Sequence, residues 1–390
     1  MRVARLEATP VSFPYLHREV SSQVARDGVT DVIVRVETED GCVGWGEACS
    51  GADVGSVEAA IHAMAPFVLG SDPWHREAIQ QDLYLHGLWQ FRAGTANFAW
   101  AGIDMALADV AARAAALPLY KLFGGLRRTE ASYFFYLSRG TADDLAEQCR
   151  AGLAAGYDTF YLKVGVGPAE DLAMVQAVRE ALGHGPRLRL DANGAWSVPE
   201  ASRLLSALAE HDIDFVEQPV RHDPVGHLAE LRRRLPMPVC ANEGLWSEAD
   251  AYARIVARQA DVYCFSPYWV GSLGAFHRLA HVAHLEGLQV CKHTHGELGI
   301  AASACHHLVL TLPNGVEGHQ QTAQMMAGDV LSDPLPLASG PRWGVPDGIG
   351  IGVEPAPAAI AEGHRRYQLE GQFLPYQREH LHRLGGGPAR

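Results

Sequence analysis

Short apolar runs that stop at a single polar residue recur along the middle of the chain. RLRLDANGAW, IDFVEQP and MPVCANEG each break off at a carboxylate, and Asp191, Glu217 and Glu243 lie 26 residues apart. An apolar run that ends abruptly in a polar residue reads as a buried strand meeting a loop, and this period fits one strand, one helix and two short connections. The beat extends both ways. Lys163 (FYLKVGVG) precedes Asp191 by 28 residues, while Ser266 and Tyr268 (VYCFSPYW) follow Glu243 by about one period. His293 (LQVCKHTHGE) comes 25 residues after Tyr268, and Glu317 (GVEGHQ) 24 after that. With a strand over 131–137 (ASYFFYL), eight strand ends stand in order. The segments between them, such as AEDLAMVQAVREAL, VPEASRLLSALAEH and SEADAYARIVAR, carry apolar residues at helical spacing. The pattern predicts a closed parallel β/α barrel over 126–330, of the TIM-like kind, with these polar residues gathered at the rim where such barrels carry their chemistry.

Residues 1–125 do not keep the beat. Strand-like alternation (RVARLEATPVSF, TDVIVRVETEDG, CVGWGEA) gives way to helical stretches near 54–67, 74–86 and 94–115, which predicts a separate α+β domain. Between the first two strands, YLHREVSSQVARDGV reads as a long polar loop of the sort that covers binding sites. From 331 to 390 the chain is rich in Pro and Gly, then briefly helical, and its GGGPAR tail is expected to be disordered.

Composition narrows the classes. At 390 residues with 48% apolar and 20% charged positions, the chain can bury a large core. No apolar run is long enough for a membrane span, and the N-terminus lacks the apolar core and cleavage site of a signal peptide. The seven cysteines show no CxxC spacing and read as small buried hydrophobes in a reducing, cytoplasmic setting. A net charge of −13 without a basic stripe argues against nucleic acid. Three carboxylates at one rim repel one another unless a hard cation holds them, and all-oxygen ligation suits Mg²⁺.

Several stretches together resemble one family over nearly the whole length: GWGEA at the end of an N-terminal hairpin, Asp191-x-Asn193 at strand three, VEQP at strand four, an acidic residue at strand five, and the closing PDGIGIGVE. The chain resembles the mandelate racemase/muconate-lactonising branch of the enolase superfamily. The resemblance implies an α+β capping domain, completed by the C-terminal segment, over a modified TIM-like barrel. It further implies a Mg²⁺ ion held by Asp191, Glu217 and Glu243 that binds the carboxylate of a small-molecule substrate, and a homo-oligomeric assembly. At strand five relatives often read Asp-Glu where this chain has Asn242-Glu243. The resemblance makes Lys163 the base and His293 an acid/base group on the opposite face. The chain departs from the family at two places: Tyr161 replaces the first lysine of Lys-x-Lys, and Tyr268 stands where an Asp commonly orients the histidine. Tyr161, Asn193, Tyr268, Lys292, His295, Glu317 and His17 are candidate substrate-binding residues, with Lys292 as one source of the missing charge and Glu317 as a protonated donor to the enediolate.

The chemistry such a site serves is removal of a proton α to a carboxylate. A dication on the carboxylate stabilises the enediolate charge where it forms, and a buried lysine is the base, its pKa lowered by desolvation and the nearby dication. Dehydration of a hydroxy or sugar acid is the leading expectation, because a hydroxyl leaving group needs an acid opposite the base. Racemisation or epimerisation and cycloisomerisation remain open. Two remoter alternatives are a metal-dependent amidohydrolase, which needs an H-x-H on strand one where this chain has SYFFYL, and a non-catalytic barrel.

Overall fold

The structure is a computed structural model that describes residues 1–49, 53–335 and 340–375; the GGGPAR tail lies outside them. Three antiparallel strands, β1 (Val3–Val20), β2 (Ala25–Thr38) and β3 (Val43–Cys49), form the N-terminal sheet. Helices α1 (Val54–Val68), α2 (Arg76–His86) and α3 (Thr95–Ala114) follow. Helix α3 lies almost in contact with the β3 backbone. A Cβ on Gly46 would stand 1.9 Å from the Gly102 carbonyl oxygen, and one on Gly44 would stand 2.3 Å from that of Ala106.

The segment 15–29, expected as a loop, is instead the far end of the β1–β2 hairpin. Glu19 pairs with Arg26 and Val20 with Ala25, after a register shift between Pro14 and Glu19. The turn closes through Ser21 N–H to the Val24 carbonyl (2.8 Å), and the Ser21 hydroxyl accepts from Val24 N–H (3.0 Å). Its polar composition misled because this stretch covers a polar site, not an apolar core.

The barrel starts with β4 (Glu130–Ser132) and β5 (Phe135–Leu137), two short strands where one was expected. At the break, Tyr133 N–H turns to the Pro341 carbonyl (2.7 Å) and Phe134 N–H to that of His319 (3.0 Å). Then come α4 (Ala142–Ala154), β6 (Thr159–Lys163), α5 (Pro168–Leu182), β7 (Arg187–Asp191), α6 (Val198–Ala207), β8 (Ile213–Glu217), α7 (His227–Arg232) and β9 (Val239–Ala241). The remainder is α8 (Glu248–Val256), β10 (Val262–Phe265), the short α9 (Pro267–Val270), α10 (Leu273–Leu285), β11 (Gln289–Lys292) and α11 (Gly299–Val309). Local chemistry sets the helix starts: Thr141 with Asp144, and Ser197 with Glu200, form capping boxes at α4 and α6. Strands β5 to β11 pair in parallel in chain order. The stretch around 315–320 closes the ring by parallel bridges from Gly315 to Val290 and from His319 to Tyr133.

Two sets of contacts tie the N-terminal sheet to the rest. Both Glu47 oxygens, on β3, accept from the start of α11, at Leu298 N–H (2.7 Å) and Ala301 N–H (2.9 Å). The C-terminal segment supplies β12 (Arg342–Gly344), antiparallel to β4, and α12 (Pro357–Glu370). Helix α12 rests on β1, with Gly363 over Phe13 and His364 Nδ1 2.8 Å from the Pro10 carbonyl oxygen. Among the described residues no single helix is long and apolar enough to cross a membrane.

The close seat of α3 on β3 yields a test. Gly46→Ala puts a methyl group against backbone, which cannot swing aside, so stability should fall by about 1–3 kcal/mol. A lowered urea midpoint with unchanged slope is the expected result; an unchanged midpoint would mean that the helix has room to retreat.

Candidate active site

The parallel register lines up chemistry across neighbouring strands. Lys163 pairs with Asp191, Asp191 with Glu217, and Glu217 with Cys240. Alternate strand residues share a face, so Tyr161 with Lys163, Arg189 with Asp191 and Phe215 with Glu217 point into the barrel together.

Asp191 is the hub. Its Oδ2 accepts from Lys163 Nζ and from the Tyr161 hydroxyl, both at 2.5 Å, and its Oδ1 from Asn193 N–H at 2.8 Å. Asn193, held at φ 46°, bridges onward. Its Oδ1 accepts from Lys163 Nζ (3.0 Å) and its Nδ2 donates to Glu243 Oε1 (2.9 Å). Glu217 Oε2 accepts from Gln320 Nε2 at 2.6 Å. Two shielded oxygens are left over, Glu217 Oε1 and Glu243 Oε2, and neither has a hydrogen-bond partner. Burial and the Asp191 charge raise Glu217 well above the carboxylate range and push Glu243 up to about 7. Asn242 is turned away, its Nδ2 donating to the Cys264 carbonyl (3.1 Å). The strand-five group beside Asp191 is therefore Glu243.

Burial alone lowers the Lys163 ammonium, but Asp191, Glu19 and Glu217 outweigh it, and the lysine is held above its ordinary value. His293 is buried, and burial, His295 and the Lys163 charge push it well below the usual imidazole range. Lys163 closes β6 and His293 follows β11, so both stand at carboxyl ends of the parallel strands. The Trp269 indole donates to His293 Nδ1 (3.2 Å), with the Tyr268 hydroxyl 3.3 Å from the same atom. An indole N–H can only donate, so Nδ1 is the acceptor and the neutral ring carries its proton on Nε2. Asn97 on α3 fixes this wall by donating to the Trp246 and Trp269 carbonyls (2.8 and 2.7 Å).

The hairpin tip closes the mouth. The Ser22 hydroxyl donates to the Ala192 carbonyl (2.7 Å) and Gln23 Nε2 to that of Asn193. Glu19 and Arg26 form a buried ion pair (2.5 Å), and Arg26 Nη1 donates to the His295 carbonyl (3.2 Å). A cavity of about 500 Å³ leads outward past Ser22, Asn193, Gln218, Arg221, Glu243 and Trp246.

Other expected residues fall differently. Tyr161 is buried, stacked on Phe134 at 4.6 Å, and its hydroxyl donates to Asp191. Lys292 Nζ is locked to Glu297 in a fully buried pair beneath Tyr268 and does not supply the missing charge. His295 stays at the wall, with its ring 5.6 Å from that of Trp269. His17 lines a separate cavity of about 720 Å³ beside Phe135 and Gln148. Glu317 is not at the rim: its Oε2 accepts from the Ser132 hydroxyl (2.6 Å), and its side chain is 44% exposed. The closing strand runs three residues further, and Gln320 takes the rim position. The sequence reading missed Gln320, Glu19 and Glu297. Glu19 had a visible signal, since Glu19 and Arg26 flank Ser21–Val24 as opposite charges across a tight turn would.

A barrel of this form under an α+β cap defines an enzyme class, and comparison with known proteins gives the family. Residues 15–124 match the model of the mandelate racemase/muconate lactonizing enzyme N-terminal domain, and residues 144–359 match the enolase C-terminal domain-like model. The chain belongs to the mandelate racemase/muconate lactonizing enzyme branch of the enolase superfamily. It is an enzyme of the lyase or isomerase kind, which sets aside the amidohydrolase and non-catalytic alternatives. It is 28% identical over 375 residues to the L-Ala-D/L-Glu epimerase of Bacillus subtilis, covering 94% of this chain and 100% of that protein. It is 29% identical over 296 residues to a D-galactonate dehydratase of Pectobacterium atrosepticum, covering 73% and 76%. The crystal structure of 2-chloromuconate cycloisomerase from Rhodococcus opacus superposes with a TM-score of 0.87 at 26% identity, covering 93% of this chain and 99% of that one. Relatives of this similarity thus span epimerases, dehydratases and cycloisomerases.

The Glu19–Arg26 pair can be tested directly. Removing one partner of a buried pair leaves an uncompensated charge and costs about 3–5 kcal/mol. Glu19→Gln should therefore strip hydrogen-exchange protection from residues 15–29. Burial raises the Glu19 carboxyl, but Arg26 and Lys163 outweigh it and hold it below the ordinary range. The pair's contribution should accordingly be complete at neutral pH and be lost on acidification, as pH falls below the ordinary glutamate range and through the lowered value. Unchanged protection in the variant would remove the pair from the closure.

Proposed function

We propose that this enzyme removes the α-proton of a small hydroxy-acid carboxylate with Lys163 and expels the β-hydroxyl with help from His293, as a Mg²⁺-dependent dehydratase. The observation that carries this reading is that Lys163 and His293 stand at the same end of the parallel strands as two unpartnered carboxylate oxygens. The donor set fits a hard cation: Asp191, Glu217 and Glu243 offer only oxygen, and two of those oxygens have nothing else to bind. Structures of relatives are described with magnesium bound. Asp191, Glu217 and Glu243 would hold Mg²⁺, which would supply positive charge beside the substrate carboxylate.

The residues of the chain do the rest. With Asp191 and Glu217 neutralised, burial is the dominant influence left on Lys163, and it lowers the ammonium toward a value at which the amine accepts a proton from carbon. Tyr161 and Asn193 fix the Asp191 carboxylate from either side. A substrate carboxylate brings negative charge toward His293, which favours the imidazolium. The proton on Nε2 then passes to the departing hydroxyl, which leaves as water as its C–O bond breaks and the carbon–carbon double bond forms. The Ser22 and Gln23 contacts of the hairpin keep bulk water out.

Racemisation or epimerisation is the second reading. The same two groups suit proton removal by one and return by the other, and the match to an epimerase spans that protein's whole length. Ser266, Pro267 and Tyr268 follow β10, so the reading does not involve a second lysine there. Incubation with hydroxy acids, sugar acids and acylated amino acids in D₂O, followed by mass spectrometry, separates the outcomes. Loss of water marks dehydration, deuterium at the α-carbon with inverted configuration marks racemisation, and a ring opened or closed with one deuterium gained or exchanged and no water lost marks cycloisomerisation.

Two variants test the roles on whichever substrate reacts. Lys163→Ala should lower α-proton exchange by about 10²-fold or more while keeping Mg²⁺ affinity. His293→Asn should block product yet leave exchange by Lys163 intact. Residual exchange in Lys163→Ala within about tenfold of wild type, roughly 1.4 kcal/mol, is too small a loss for the sole base. Calorimetric titration tests the metal: Asp191→Asn should weaken Mg²⁺ binding at least tenfold, and a titration identical to wild type would remove Asp191 from the ligand set.

A further inference from the structure

Directly against the carboxylate rim, the barrel interior carries a set of thiols that the proposed chemistry does not use. Cys240 stands beside Glu217 in the strand register, Val262 pairs with Cys240, and Cys264 pairs with Cys291. All three thiols are fully buried in an apolar pocket with Phe215, Val262 and Val316. One carboxylate oxygen of Glu217 and the sulfurs of Cys240 and Cys264 lie within 4.8 Å of one another. That is a span one metal ion can bridge with bonds of roughly 2.0–2.3 Å after small side-chain movements.

The polar partners of this cluster are sparse. Cys240 Sγ reaches its neighbour's carbonyl, that of Ala241, at 3.7 Å, Cys291 Sγ that of Lys292 at 3.6 Å, and Cys264 bonds to both of the other thiols. Gln320 Nε2 touches both Glu217 Oε2 (2.6 Å) and Cys264 Sγ (3.1 Å). Glu217 Oε1 has no partner at all. Below the cluster the Arg189 guanidinium lies 4.4 Å from the Phe215 ring centroid, a positive charge suited to a site whose ligands are anionic. Hard Mg²⁺ avoids sulfur, whereas Zn²⁺ and Cd²⁺ take mixed thiolate and carboxylate sets.

We propose that Glu217, Cys240 and Cys264 form a second, thiophilic metal site that shares Glu217 with the magnesium site, so that a soft divalent ion and Mg²⁺ exclude one another. On binding, each S–H bond is replaced by a sulfur–metal bond and its proton leaves to solvent. Glu217 swings an oxygen toward the thiols and leaves the rim with two of its three carboxylates. Soft-metal exposure is then an off-switch built from the same carboxylate. The mutual exclusion rests on the magnesium reading above; the thiol site does not.

The test uses the full chain, stripped of metal and titrated with Cd²⁺ while the ultraviolet thiolate-to-cadmium charge-transfer band is followed. One Cd²⁺ per chain is expected, with the band lost or the affinity reduced at least tenfold in Cys240→Ser and in Cys264→Ser. Cys149→Ser, in α4 and outside the cluster, serves as the control and should titrate like wild type. Far-ultraviolet circular dichroism checks each fold, and Cys240→Ala or Cys264→Ala replaces a serine variant that fails it. Glu217→Gln should weaken Cd²⁺ binding, and added Mg²⁺ should shift the Cd²⁺ titration to higher concentration. Absence of the band, or a band indifferent to both cysteine variants, overturns the site. A band that depends on the cysteines but ignores Glu217→Gln and Mg²⁺ overturns the sharing. Failure of the magnesium reading shows separately, as equal Mg²⁺ titrations of wild type and Asp191→Asn alongside an intact cadmium band.

Discussion

The constraint on which the rest depends is the in-register pairing of parallel strands. Because β6, β7, β8 and β9 run side by side without a slip at their ends, Lys163, Asp191, Glu217 and Cys240 stand level on four consecutive strands. A one-residue slip would turn any of them out of the barrel. That alignment concentrates negative charge in a place with little water, and the charge has visible consequences. It holds a proton on Lys163 against the effect of burial, and it adds to burial in raising Glu217 and Glu243 out of the carboxylate range. The surrounding dipoles and cations answer it: the Asn193 backbone, the Tyr161 hydroxyl, the Gln320 amide and the Lys163 ammonium all point at the trio.

The two candidate acid/base groups are held differently. Lys163 is a charge among charges, bonded to Asp191 and Asn193. His293 sits in an aromatic wall of Tyr268 and Trp269, with its tautomer set by an indole that can only donate. An imidazole oriented by neutral groups responds to the charge of whatever enters, since no fixed carboxylate pins its protonation state. The Asn97 contacts make that wall a property of the cap as much as of the barrel.

Much of this was legible in the sequence, for a definable reason. Strand ends repeat at a fixed interval in a β/α barrel, so Lys163, Asp191, Glu217, Glu243 and His293 announced themselves by phase. Phase failed where the repeat loosens. The closing strand overruns the interval, which displaced the expectation from Gln320 to Glu317. Hydrophobic patterning failed on the covering hairpin, because a strand that faces a polar cavity lacks the alternation that marks one facing a core. Alternation along a strand turns neighbours to opposite faces, which weighed against Lys292 as the missing charge. Lys292 shares a strand end with His293 but points to Glu297, a partner five residues ahead in the chain.

The way the hairpin tip is fastened separates two demands that usually compete. Its donors are the side chains of Ser22 and Gln23, but its acceptors are main-chain carbonyls of Ala192 and Asn193. Main-chain acceptors survive any substitution at those positions, so the latch does not depend on which side chains the barrel loop presents. Glu19 and Arg26 brace the same hairpin as a buried pair, and Arg26 too reaches a main-chain acceptor, the His295 carbonyl. Ligand preference can therefore diverge between descendants of this chain by changes at Arg221 or Trp246, which line the cavity without holding the hairpin, while the fastening that shuts out water is inherited unchanged.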